Sequence, residues 1–233
     1  VAWGVRPRFF DRPKGSVFAA LPLLVMAMAF LPARAWAAFP STQPGAGVQA
    51  GPEALWMAIY LPTDQLNIAP NALAYPTAPG SMLNLWGAGA VLGKNQLLLS
   101  VQGMTGDMMA SDSGTGRSSA WNLDLAGVVA EQRYPTGNWE FTAGLAAWLG
   151  SFSINLRDIA TGAYTRFESR FPAGGLTGAM RWPTHSHVCF FFRTGYFWLP
   201  ASGSWNGSLA PAMVKSSFDL NTTFTQLGID LIF

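Results

Sequence analysis

Charge is the scarcest commodity in this 233-residue chain: Lys and Arg number 14, Asp and Glu 12, together 11% of the residues, against roughly 25% in an ordinary soluble domain. So few charges exclude a disordered polyelectrolyte, and no concentrated basic patch marks a nucleic-acid binder. Cysteine is almost absent. Cys189 stands alone, so an intrachain disulfide and a cysteine-based zinc site are both excluded. Long helical periodicity with caps is missing, as are a phosphate-binding glycine loop and a calcium loop of regular spacing. Abundant instead are apolar residues at 50%, 25 Gly, 16 Phe and 10 Trp. What remains is a soluble domain with an unusually uncharged surface, or a protein whose surface does not face water.

Only the N-terminus holds an uninterrupted apolar run. Arg6, Arg8, Arg12 and Lys14 precede the apolar stretch 17–30, and Ala35-Trp36-Ala37 follows it. Basic flank, short apolar core and small-x-small triplet form a secretory signal, with cleavage expected between Ala37 and Ala38. The run is too short, and carries Pro22 and Pro32, for a comfortable membrane-spanning helix. Removing residues 1–37 leaves 9 basic and 11 acidic residues, so the net basic character belongs to the targeting segment. The expected organisation is a signal peptide over 1–37, a Pro- and Gly-rich flexible lead-in over 38–53, and one domain over 54–233.

That domain reads as strands of period two, near 54–61, 81–92, 96–104, 119–131, 139–150, 169–181, 188–198 and 217–233. The links between them alternate strictly. Those at 62–80, 105–118, 151–168 and 199–216 are long; those at 93–95, 132–138 and 182–187 are short. Long loops at one end and tight turns at the other suit an antiparallel barrel crossing a membrane. The strand faces agree. Trp139, Phe141, Ala143, Leu145, Ala147 and Leu149 oppose Glu140, Thr142, Gly144, Ala146 and Trp148. Val188, Phe190, Phe192, Tyr196 and Trp198 oppose Cys189, Arg193 and Gly195, and Trp121, Leu123, Leu125 and Val129 oppose Asn122, Asp124 and Ala126. The large apolar face is expected to meet lipid and the small or charged face to fill a narrow lumen. Trp86, Trp121, Trp139, Trp148, Tyr196 and Trp198 are the expected interfacial girdle. The glycines of 87–90 and 173–175 mark bends or small lumen-facing positions.

The chain ends in an alternating strand, Leu227, Ile229, Leu231 and Phe233 against Gly228, Asp230 and Ile232. With its eight strands and terminal Phe, the chain resembles the small eight-stranded bacterial outer-membrane β-barrel proteins. The resemblance is one of pattern over 54–233. It implies an all-β, closed, up-and-down transmembrane barrel in the bacterial outer membrane. It also implies insertion by the outer-membrane assembly machinery, with Leu227, Ile229, Leu231 and Phe233 as the assembly signal. Asp219, Asn221 and Thr223 share the parity of Leu227, so either a bulge near Thr225 flips the face or that part lies beyond the membrane.

Chemistry is hard to find. His185 and His187 sit in one short turn without a flanking carboxylate, and Ser111, Ser113 and Ser118 lie at the opposite end without a histidine. No catalytic, cofactor or metal residue is assigned. The charges Arg193, Glu140, Asp124 and Asp230 are expected to form an ionic cluster in the lumen. The reading that follows is a structural or surface-interaction barrel acting through four extracellular loops; a small-solute channel and a lipid-modifying enzyme are the alternatives. The expected partners are the lipid bilayer and the assembly machinery, with no nucleic acid; the loops' own partners are not legible.

Overall fold

The computed structural model describes residues 48–61, 67–185, 187–198, 206–207 and 221–233. The expected signal peptide, its cleavage residues Ala35, Ala37 and Ala38, and Asp219 lie outside them. Among the described residues nine strands are present: β1 (Val48–Tyr60), β2 (Met82–Lys94), β3 (Leu97–Asp112), β4 (Arg117–Thr136), β5 (Trp139–Asp158), β6 (Tyr164–His185), β7 (Val188–Trp198), β8 (Asn206–Gly207) and β9 (Thr222–Leu231). A five-residue helix, α1 (Ile68–Ala72), lies between β1 and β2. Eight strands pair in antiparallel order β5-β4-β3-β2-β1-β9-β7-β6, and β6 pairs back with β5 to close the ring. The two-residue β8 attaches beside β6, at Phe167 and Glu168. Closure joins β1 to the C-terminal strand, Glu53 opposite Asp230 through Ile59 opposite Phe224. Among the described residues no helix is long and apolar enough to cross a membrane.

The register sets the size of the barrel. Followed once round from Ser151 through Asp124, Thr105, Trp86, Trp56, Leu227, Phe192 and Met180, the pairing returns to β5 at Phe141, ten residues away. With strands about 4.8 Å apart and about 3.3 Å per residue, that stagger tilts the strands by about 41° and puts the backbone about 8 Å from the axis. Side chains from opposite walls meet across such a space. A 20-residue strand such as β4 rises about 50 Å along the axis at that tilt, roughly twice the height of an outer-membrane apolar band. The barrel therefore continues well past the lipid.

Several sequence expectations change here. β1 begins at Val48, six residues before the expected start. The expected long links at 105–118 and 151–168 are strand almost throughout, with turns only at 113–116 and 159–163. Gly116 and Gly162, at φ 68° and 72°, supply the left-handed residues that these turns need. The polar residues that suggested loops sit on the outer wall of the projecting sheet, where water replaces lipid.

Candidate functional site

The wall divides into two zones. Along β5 the outward residues are Trp139, Phe141, Ala143, Leu145, Ala147 and Leu149, then Ser151, Ser153, Asn155 and Arg157. β6 runs from Trp182, Met180, Leu176 and Pro172 to Arg170, Glu168 and Arg166. β4 runs from Tyr134, Val128 and Ala126 to Asp124 and Asn122, and β3 from Leu97, Leu99 and Val101 to Thr105 and Asp107. The apolar part of β5 spans eleven residues, the length a tilted membrane strand requires. Leu145, Leu149 and Leu176 are 60%, 64% and 55% exposed, a loss against water that a bilayer removes.

Inside, the order is inverted. Level with the apolar outer band the lumen is charged; above it, where the outer wall is polar, the lumen is packed with Trp121, Phe152, Ile154, Phe167, Phe197 and Phe224, each at most 2% exposed. This inversion overturns the expected facing of β4. Trp121, Leu123, Leu125 and Val129 point into the barrel, and Asp124 points out, accepting a hydrogen bond from Thr105 Oγ1 at 2.6 Å. Trp121 leaves the girdle for the same reason, and Trp148 leaves it because it sits on the inward face of β5 opposite Phe141, Leu145 and Leu149; they are 0% and 3% exposed. The outward aromatics at the short-turn end include Trp139 and Trp182, stacked at 5.2 Å. Tyr196 and Trp198 face outward near the other end of β7.

Glycine makes the packing inside possible. Gly127 lies opposite Trp148, Gly150 opposite Phe171, Gly195 opposite Phe224 and Gly228 opposite Phe191. In each pair a Cβ on the glycine would come within 2.6 Å of the partner's ring. The ring covers its cross-strand glycine, so a large side chain folds flat in a narrow barrel.

The charged layer is built from two bonded groups of side chains. Arg193 makes a fork to Glu131, Nε to Oε1 at 2.8 Å and Nη2 to Oε2 at 3.0 Å, and its Nη1 donates to Gln226 Oε1 at 2.5 Å. Gln226 Nε2 donates to Gln102 Oε1 at 3.0 Å, and Gln102 Nε2 to Ser100 Oγ at 2.8 Å. The Ser100 hydroxyl donates to Glu53. On the other side Arg181 pairs with Asp230 and lies 3.2 Å from Glu140, which also accepts from Arg133 Nε at 2.8 Å. The Phe191 ring has two guanidiniums over it, that of Arg193 at 4.8 Å and that of Arg181 at 5.5 Å. Of the four expected lumen charges, Arg193, Glu140 and Asp230 are buried here and Asp124 is not. Arg193 takes Glu131 as its carboxylate partner, none of the three expected.

Glu53, Glu131, Arg133 and Arg181 were not anticipated. Glu53 fell in the expected lead-in, Glu131 and Arg181 at expected strand ends and Arg133 in an expected turn. The signal was available: counting by twos from Trp121 through Val129 reaches Glu131 and Arg133. The C-terminal residues behave differently. Leu227, Ile229, Leu231 and Phe233 all face outward and are 39–55% exposed. The register of β9 is unbroken from Thr222 to Leu231, so there is no bulge at Thr225 and the polar upper part lies above the apolar band.

At the short-turn end His187 Nδ1 lies 3.0 Å from Ile232 O and its ring stacks on Phe233 at 5.9 Å. Among the described residues no group of three or more His, Cys, Asp and Glu side chains is placed to hold a metal ion. At the far end the hairpin tips carry their own bonds. Asp112 accepts from Thr115 Oγ1 at 2.8 Å and Gly114 N at 2.9 Å. Asp158 accepts from Thr161 N at 3.2 Å, Arg117 Nε at 3.3 Å and Ala160 N at 3.0 Å. These donors hold both carboxyls below the usual 3.8, chiefly the Thr115 hydroxyl for Asp112 and the Thr161 amide for Asp158. A lowered folded-state value means that the contribution is complete at neutral pH and is lost as pH falls through that value. Hydrogen-exchange protection of Gly114, Ala160 and Thr161 should therefore hold down to about pH 4 and collapse below it, with Asp112→Asn and Asp158→Asn removing the pH dependence.

No protein-family model matches the chain, and no curated protein matches it in sequence. Solved structures do. A major outer membrane protein of Thermus thermophilus superposes with a TM-score of 0.54 at 11% identity, covering 79% of this chain and 99% of the other. Neisserial surface protein A gives 0.47 at 12% identity, covering 82% and 100%. The attachment invasion locus protein of Yersinia pestis gives 0.48 at 10%, covering 81% and 99%. At such identities the likeness to the Thermus protein is one of fold. With the apolar band, it makes the chain an integral β-barrel of the outer-membrane type.

Proposed function

We propose that this chain is a non-conducting, non-enzymatic barrel of the bacterial outer membrane that works through the sheet it raises above the lipid, as a structural element or a surface for interaction. The observation that carries this reading is the pair of long hairpins. β3–β4 and β5–β6 continue past the apolar band as a polar-walled sheet, while the lumen at their own level is filled with aromatic side chains. A filled lumen offers no path for solutes. A rigid sheet presents side chains in fixed register, as a flexible loop does not.

Two measurements test it. Reconstituted into planar bilayers the chain should stay electrically silent; sustained unitary currents would instead favour the channel. In intact cells Thr161→Cys, at a hairpin tip, should react with a membrane-impermeant maleimide while wild type stays unlabelled, since Cys189 is 3% exposed. Labelling that needs permeabilised cells would place the hairpins on the wrong side.

The same reading makes Phe233 a recognition residue for the assembly machinery. Its side chain is 55% exposed, so removing it costs the folded barrel little packing. Phe233→Ala, which keeps the bond from Phe233 N to Ala50 O, should lower the yield of heat-modifiable barrel in the membrane fraction several-fold while export to the periplasm is unchanged. Equal yields would remove this role.

A further inference from the structure

The charges of the lumen do not balance. Level with the apolar band the described buried groups are four carboxylates, Glu53, Glu131, Glu140 and Asp230, and three guanidiniums, Arg133, Arg181 and Arg193. Fully ionised, the layer carries one negative charge more than its partners neutralise, in a space where an uncompensated charge is costly. The pairing locates the excess. Glu131 is held by the fork of Arg193, and Glu140 by Arg133 and Arg181. Asp230 has one oxygen on Arg181, while Glu53 has one oxygen on the neutral Ser100 and no ion pair among the described residues. The second oxygens, Glu53 Oε1 and Asp230 Oδ1, are buried with no donor.

These two carboxyls belong to residues directly opposite one another across the seam where β1 meets β9, a placement that sets their Cβ atoms about 5 Å apart and points both side chains to the same side of the sheet. Two bare carboxylates so placed repel; a carboxylic acid and a carboxylate form a hydrogen bond. We infer that the lumen holds one bound proton, shared between Glu53 and Asp230, and that this proton ties the closing seam of the barrel.

With the proton in place the layer is neutral and both orphaned oxygens are partnered by a single O–H···O bond. Among the described residues the surroundings bring no further cation, and Arg181 Nη1 is itself buried without an acceptor. From β2 the neighbour is Gly89, whose Cβ would stand 2.7 Å from Glu53 Oε2, and from β3 come only the neutral Ser100 and Gln102. β4 and β5 bring Glu131, Arg133 and Glu140, whose ion pairs are already made. β7 brings Arg193, engaged with Glu131, and Cys189, which lies opposite Asp230 and whose thiol donates to Phe190 O at 3.5 Å. β6 brings Arg181, already shared between Asp230 and Glu140. The dyad then titrates as a pair, and the seam should loosen when it loses its last proton.

The test is infrared spectroscopy of the full chain, folded in detergent at neutral pH, read at the carbonyl stretch of protonated carboxyl groups. Wild type should show one such band, shifted by exchange into deuterated water. Glu53→Gln and Asp230→Asn, which keep size and hydrogen-bonding shape, should each abolish it, and Asp112→Asn should keep it. Heat resistance of wild type on gels should fall as pH is raised from neutral into the alkaline range, and that of Glu53→Gln should not. Absence of the band in folded wild type would overturn the inference whatever the variants do, as would its persistence in both Glu53→Gln and Asp230→Asn.

Discussion

Replacing Arg193 with Met should cost about 3–5 kcal/mol of unfolding free energy, the range for removing one partner of a buried, hydrogen-bonded ion pair. Arg193 is wholly buried, and its guanidinium serves three acceptor oxygens on two residues, Glu131 and Gln226. Met fills much of the same volume, so the loss is electrostatic: it strands the Glu131 carboxylate, itself 1% exposed, beside an apolar chain. The double variant Arg193→Met with Glu131→Gln should recover a good part of the loss, because the stranded charge goes with its partner. Asp124→Asn, on the outer wall, should stay within about 0.5 kcal/mol of wild type. Urea unfolding in detergent or lipid measures all four chains. A loss below about 1 kcal/mol for Arg193→Met would mean that water reaches the pair.

The second large effect is steric. Gly228→Val should destabilise by about 1–3 kcal/mol through overpacking, because its Cβ would lie 2.3 Å from Cζ of the Phe191 ring. That ring cannot simply swing away, since the guanidiniums of Arg181 and Arg193 lie over it, contacts worth about 0.5–2 kcal/mol each where they are dry. Combining Gly228→Val with Phe191→Leu should restore folding yield in part, the smaller side chain leaving room over the seam. Gly80→Ala is the matching control, with nothing within 4 Å of the added carbon. Equal stability of Gly228→Val and Gly80→Ala would show that the glycine and its ring are not interlocked.

Much of the architecture is legible in the residues because a lipid solvent enforces a simple code. A strand crossing a bilayer must be apolar outward at every second position, and an open edge cannot persist there. Trp139 to Leu149, Val188 to Trp198 and Leu227 to Phe233 obey that code, and their facing follows from alternation alone. Eight strands, closure of last on first and the short turns at one end come from the same source. The code fails where lipid stops. At Trp121, Leu123 and Leu125 the apolar face still seeks a dry environment, but above the membrane the dry side is the inside of the barrel, and Asn122 and Asp124 turn outward to water. Period two is identical in both zones, so β4 taken alone does not show which solvent its polar face meets.

What the amino-acid sequence determined by itself was the class of the object: an all-β chain with alternating strands, scarce charge and an apolar surface fit for a membrane. Tertiary structure alone decided height and partnership. The ten-residue stagger sets how far each strand climbs, and therefore where on β3, β4, β5 and β6 the wall passes from lipid to water and the lumen from charged to aromatic. It also joins Glu131 to Arg193, 62 residues apart, and Glu53 to Asp230 across the closing seam. Alternation is a property of one strand and survives in any register. Pairing across a lumen is a property of ring size and stagger, which no single strand contains.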